Sequence, residues 1–229
     1  AVNLEVRLPG QGTKEGIVVV GAHYDTVPET PGANDNGTGI AALLALARLL
    51  KGVELPRTVA FVAFANEEPP YFQTGEMGSL VYAERADKRE EGIHAMLSLE
   101  TLGYYSDAPN SQNYPFPLGM FYPSTGNFLA FVSDTSSRAL LTRSIGAFRE
   151  HAAFPSEGVA APAAIPGIGW SDQWSFWQQG IPAIMVTDTA LYRYPHYHQP
   201  SDTPDKSDCD RLARVGLGLV NVVEAMAGE

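Results

Sequence analysis

The sequence contains one cysteine in 229 residues, Cys209. A single thiol excludes an intramolecular disulfide framework and a cysteine-based metal cluster, and leaves the compartment open. It lies in "KSDCDRLARV", at an expected helix start, and is read as a packing residue rather than a reactive one. Long apolar runs are also missing, for none approaches the ~18 residues of a membrane span. Positive charge is scarce: 15 Lys and Arg stand against 26 Asp and Glu, a formal net charge of −11. That balance argues against nucleic acid or an anionic membrane as a partner. The functional charge becomes less negative if several of these acids bind divalent cations. There is no internal repeat, low-complexity tract or signal peptide. The abrupt start at "AVNLEVRLPG" leaves room for a removed leader or a preceding segment. An extracellular or periplasmic location is slightly favoured, the cytoplasm remains open, and no oligomeric state follows from the sequence.

What is present is an ordinary globular composition, 45% apolar and 18% charged, long enough for one substantial core. The chain is read as a single domain, residues 1–229. "GIVVVGAH" (16–23), "TVAFVAFANEE" (58–68), "IHAMLSLETLG" (93–103) and "IPAIMVT" (181–187) are short apolar runs of buried-strand type. Between and after them lie helical patterns: about 38–50, whose apolar residues are dense all round, then 77–90, 136–151, 171–180 and 208–227. Strands alternating with helices predict an α/β fold, a three-layer sandwich with a mostly parallel mixed central sheet flanked by helices. Two segments, Tyr104 to Asn127 and Phe154 to Trp170, are rich in Pro, Gly and aromatics without periodicity, and are expected to form ordered walls of a cleft.

Ligand-type side chains collect where strands end, the edge at which open α/β sheets bind ligands. His23 and Asp25 follow "IVVV", Glu67 and Glu68 follow "FVAFAN", Glu100 follows "AMLSL", and Asp188 follows "AIMVT". His196 and His198 lie in the next loop, and Asp35 precedes the first helix. Singly, each has an ordinary explanation: Asp35 as a helix cap, the glutamates as a solvated pair, the histidines as loop residues. Together, converging acids would repel one another and lose hydration unless a cation offset the cost. Histidine and carboxylate donors without thiolate suit zinc, with cobalt or manganese as substitutes. A carboxylate shared by two ions about 3.5–4 Å apart is the usual two-metal hydrolytic layout. In the "EE" pair, adjacent side chains of an extended strand diverge, so one can bind metal while its neighbour addresses the activated water.

Five ordered blocks, "VVVGAHYDT", "GANDNGTG", "FANEE", "LSLETLGY" and "SDQWSFWQQGIPAIMVTDT" running on to "YHQPSDT", resemble the zinc aminopeptidases that include aminopeptidase Y and the bacterial leucyl-type enzymes, metallopeptidase family twenty-eight. The resemblance implies a peptidase acting on peptides with a free N-terminus through two co-catalytic zinc ions, a bridging water and a glutamate base. By motif, His23 and Glu100 would bind one ion, Glu68 and His198 the other, and Asp35 both. Glu67 would be the general base, Asp25 would orient the His23 imidazole, and Tyr197 would hydrogen-bond the developing oxyanion. His198 is preferred to His196 because "HQPSDT" carries the match, and His94 and His151 have no motif around them. Two positions depart from the family pattern: Glu100 stands where many members have Asp, and Gln173, beside Asp172, where His is common. The aromatic residues Phe176, Trp177, Phe121 and Tyr122 are candidates for a pocket taking the first side chain, or for core packing. A glutaminyl cyclase-like zinc acyltransferase, a carboxypeptidase and a non-catalytic binding domain are the alternatives on the same fold.

Overall fold

The computed structural model describes residues 1–228. Seven strands form one mixed sheet: β1 (Leu4–Leu8), β2 (Ile17–His23), β3 (Thr58–Phe64), β4 (Ile93–Glu100), β5 (Leu129–Ser133), β6 (Ser156–Ala160) and β7 (Ala183–Thr187). Their order across the sheet is β1-β3-β2-β4-β7-β5-β6. β3, β2, β4 and β7 run parallel, β1 and β5 each pair antiparallel to a neighbour, and β6 is parallel to β5. The expected mostly parallel mixed sheet is therefore present, with both exceptions in its outer strands.

Five helices cover the faces: α1 (Gly39–Leu49), α2 (Gly78–Lys88), α3 (Arg138–His151), α4 (Gln173–Trp177) and α5 (Cys209–Gly228). The central strands are apolar throughout because both faces are buried. On one face Val18, Val20, Leu97, Leu99 and Ile184 join Leu46, Phe148 and Leu219 from α1, α3 and α5. On the other, Val19, Val62, Phe64 and Met96 pack with Ala83 of α2 and Phe176 of α4. Burial of such side chains, about 1.5–3 kcal/mol each, makes this double core the main source of stability.

Helix α1 is less enclosed than its composition suggests. Ala42, Leu43 and Leu46 are buried, but Leu44 and Leu49 are half exposed, because an outer-layer helix keeps a solvent side. Gly39, at its start, lies so close to β4 that a Cβ would stand 2.6 Å from the Leu99 carbonyl oxygen. That approach sets the loop before α1 against the end of β4. Cys209 is the first residue of α5 and is exposed, so the packing role expected for it is not what the fold gives it.

Candidate metal centre

β2 and β4 are neighbours, and each ends on a ligand-type residue: His23 and Glu100. By strand alternation both side chains emerge on the face that carries Val19 and Met96. His23 Nε2 and Glu100 Oε2 come within 3.3 Å. Ser171 Oγ donates to the same Glu100 oxygen at 2.7 Å and fixes its rotamer.

Asp35 arrives from the other direction, in the tight segment Ala33–Thr38 ahead of α1. Its neighbours form a clasp. Asn34 donates to Asp188 (2.9 Å) and accepts from the Gly103 amide (2.9 Å), while Asn36 donates to the Leu99 carbonyl (2.8 Å). Asp202 accepts the Asn34 and Asp35 amides at 2.9 and 3.1 Å, and the Tyr194 hydroxyl at 2.7 Å. The residue that caps α1 is Asn36, whose Oδ1 accepts the Gly39 amide (3.2 Å). The Asp35 carboxylate takes no capping bond and points instead at two imidazoles, 3.3 Å from His23 Nε2 and 3.0 Å from His198 Nε2.

Glu67 and Glu68 lie beyond β3, which ends at Phe64, so their divergence is set by a loop rather than by strand pleat. The loop is held by Asp25, whose two carboxylate oxygens accept the Glu67 and Glu68 amides, each at 3.1 Å. The same carboxylate stands 3.7 Å from His23 Nδ1, and the shorter partner of that nitrogen is the Asp25 carbonyl at 3.1 Å. Glu68 Oε2 reaches 3.2 Å from His198 Nε2, whereas Glu67 Oε2 remains 4.0 Å from His23 Nε2. Tyr197 stacks on the His198 ring with centroids 3.8 Å apart. His196 turns away to Ser201 (2.8 Å).

The ligand-type atoms thus fall into two triads with one shared member: His23, Asp35 and Glu100, then Asp35, Glu68 and His198. His23, Glu67 and Glu68 form a third, looser combination. Donors at about 2.0–2.1 Å around a tetrahedral zinc are separated by about 3.3 Å. Each measured N–O edge within the two Asp35 triads lies between 3.0 and 3.3 Å. The 4.0 Å edge to Glu67 is too long for that geometry. Asp35 Oδ2, Glu68 Oε1 and His198 Nε2 are buried with no hydrogen-bond partner. Polar atoms that approach without bonding one another are aimed at a common point between them. These residues fit divalent cations.

The electrostatics follow from so many acids in one enclosure. Burial pushes Glu67 up well above the usual carboxylate range against the nearby His23, with Glu100, Asp172 and Glu68 adding to the rise. Burial likewise lifts Glu100, to about 7. Burial opposes protonation of His23, but the charges of Glu67 and Glu100 win and hold it well above its ordinary value. His198, also opposed by burial, is raised to about 10 by Asp35 and Glu68.

Several residues named from sequence sit elsewhere. Asp188 holds Asn34 and the Tyr104 amide rather than joining a triad. Asp172 is fully buried and raised to about 6 by desolvation, and Gln173 donates to the Ile168 carbonyl. An apolar-walled cavity of about 90 Å³ opens beside Glu100 and Tyr197. Of the four aromatic candidates only Tyr122 lines it, because Phe176 is sealed in the core, Trp177 bonds the Ala183 carbonyl and Phe121 is 75% exposed. Asn34, Asn36 and Asp202, which position Asp35, were not singled out. Their only sequence signal is membership of "GANDNGTG" and "HQPSDT".

Similar proteins share this framework. YfbL of Escherichia coli K12, an uncharacterized protein, is 41% identical over 217 residues, covering 90% of this chain and 66% of YfbL. Aminopeptidase YwaD of Bacillus subtilis is 29% identical, over 93% of this chain and 42% of its own length. The chain therefore spans two-thirds or less of these relatives. Among solved structures, the B. subtilis zinc aminopeptidase BSAP superposes with a TM-score of 0.73 at 24% identity, over 96% of this chain and 49% of that one. An Acidobacteriales glutaminyl cyclase gives 0.67 at 21% identity, over 99% and 73%. The model of Peptidase family M28 matches residues 3–223, from β1 into the last turns of α5 and so across every residue of both triads. The chain belongs to Peptidase family M28.

Proposed function

We propose that the chain is the catalytic part of a metallo-aminopeptidase that uses two zinc ions to remove N-terminal residues from peptides. The carrying observation is the pair of triads that share Asp35. His23 and Glu100 would hold one ion, Glu68 and His198 the other, with Asp35 between them. The all-N/O donor set favours zinc, with cobalt or manganese as substitutes. Bound there, the ions would acidify a water between them and polarise the scissile carbonyl.

The remaining work belongs to the protein. Glu67, outside both triads yet within 4.0 Å of His23, takes a proton at its carboxylate and returns it to the leaving amine. Asp25 keeps that carboxylate in place by gripping the backbone of the Glu67–Glu68 loop. Tyr197, raised by burial and by Asp35, stays neutral and donates a hydrogen bond from its hydroxyl to the developing oxyanion. The negative enclosure matches the free α-ammonium group of a substrate, which accounts for an exopeptidase. Peptides with a free N-terminus are the proposed partners.

The glutaminyl cyclase reading is carried by a shared fold, and the second triad favours the peptidase. Metal stoichiometry combined with an N-terminal glutamine peptide separates the two. The direct test of the proposal is Glu67→Gln. It should keep its metal and lose about 10²–10⁴-fold in kcat on aminoacyl-p-nitroanilides. Full activity in that variant would remove Glu67 from its role.

A further inference from the structure

The cavity beside the metal centre runs across the sheet rather than into the core. Glu100 on β4 registers with Thr187 on β7, Thr187 with Ala130 on β5, and Ala130 with Glu157 on β6. Residues paired in this way share a face, so the row Glu100–Thr187–Ala130–Glu157 forms a single floor. Three strand spacings make that row about 14 Å long. Its two middle members are small, and its two ends are carboxylates. All four residues line the cavity.

The walls are largely apolar or aromatic, Tyr114, Leu118, Tyr122, Ile168 and Trp170 among them. Among the described residues no Lys, Arg or His lines the cavity. Arg193, whose charge is felt at Tyr114, is engaged by Gln112 (2.7 Å) and the Phe128 carbonyl (2.8 Å). Glu157 is half buried in edge strand β6, and its carboxylate takes no side-chain hydrogen bond or ion pair among the described residues. Its charge is felt instead at the Tyr114 and Tyr122 phenols, both raised mainly by burial. A carboxylate at the far end of an apolar cleft, with no cation of the protein facing it, is a receptor for a cation of the ligand.

We infer that this cavity takes a basic first residue, lysine or arginine, with its terminal charge on Glu157, an inference that rests on the aminopeptidase reading. With the reacting carbonyl at the Glu100 end, the side chain crosses Thr187 and Ala130. An extended lysine or arginine reaches roughly 6–7 Å from its Cα, about half of the row, and the rest is covered by the substrate backbone at the Glu100 end and by the hydrogen bond to Glu157 at the other. The aliphatic stem lies against the aromatic walls, as long cationic side chains do on apolar surface. Leucine would fill the near half and leave Glu157 unpaired.

The test compares Arg-, Lys- and Leu-p-nitroanilide on the zinc-loaded chain and on Glu157→Gln, with binding of free L-arginine and L-leucine measured calorimetrically on both. Glu157 is on an edge strand with its side chain at a cavity, so the glutamine variant should fold. A single charge-assisted contact is worth a factor of about ten or more, so the kcat/KM ratio of Arg to Leu should fall at least tenfold in the variant while Leu turnover holds. Arginine binding should weaken by a similar factor. An unchanged Arg/Leu ratio with normal Leu turnover overturns the assignment of Glu157 and leaves the aminopeptidase standing. No turnover of any amide defeats the aminopeptidase, and equal arginine binding by both chains then defeats Glu157 as well.

Discussion

Asp35 is the residue on which the site turns. Taken alone in sequence it reads first as a helix cap, and as a ligand once Glu67, Glu68, Glu100 and His198 stand beside it; the fold assigns capping to Asn36 one position later. That leaves a carboxylate 4% exposed, between two imidazoles, with one oxygen unbonded. Burial alone would raise it, yet contact with His198 and His23 holds it at about 2. Asp25 makes a different kind of contribution. It was expected to orient His23, whose Nδ1 its carbonyl meets at 3.1 Å, and its carboxylate oxygens in addition accept two backbone amides of the loop that carries Glu67 and Glu68. Asp25→Ala strands both amides, at a cost of about 2 kcal/mol in stability. Because it also frees the loop, metal affinity should drop about 10–100-fold, measured by competition with a chelating dye. A variant with wild-type affinity would reduce Asp25 to a bystander.

At the level of elements, the strands that carry the site were legible because they are buried on both faces and read as unbroken apolar runs. β2, β3, β4 and β7 are all of this kind. The strands that were not identified lie toward the margins. β1 is an exposed "LEVRL", β6 is "SEGVA" with a glycine and a charge, and β5 is a five-residue run beside a long loop. Half of the cavity floor, Ala130 on β5 and Glu157 on β6, comes from those margins, and of the four aromatic candidates Tyr122 lines the cavity while Phe176 packs in the core. The clasp on Asp35 was hidden for another reason: Asn34 and Asp202 are 168 positions apart, and only the fold brings them together. Asp202→Ala removes three hydrogen bonds from a residue 1% exposed. The expected loss is about 3 kcal/mol, or roughly 6–12 °C in Tm by calorimetry. The same change at Asp205, exposed on the neighbouring turn, should move Tm little.

The whole molecule is a stable double core with a strained rim of charge. Helices on both faces bury the sheet, while the strand ends gather Asp35, Glu67, Glu68 and Glu100 in one enclosure that water barely reaches. Like charges in such a place disfavour the folded state unless cations are present. Chelation should therefore lower Tm. Free metal at 1,000 times its Kd contributes about 4 kcal/mol per site, so removing it costs at least 8 °C or so. An unchanged Tm with and without chelator would mean that the enclosure is stabilised by its own protons alone.

The most direct test of the account is metal content per chain, measured by native mass spectrometry after zinc loading. Two ions should bind to the wild-type protein and two to Glu67→Gln, because Glu67 lies outside both triads. Asp35→Ala, which removes the shared member of both triads, should lose the pair together. A wild-type chain that binds one ion at saturation, or an Asp35→Ala chain that still binds two, would contradict the shared-carboxylate centre.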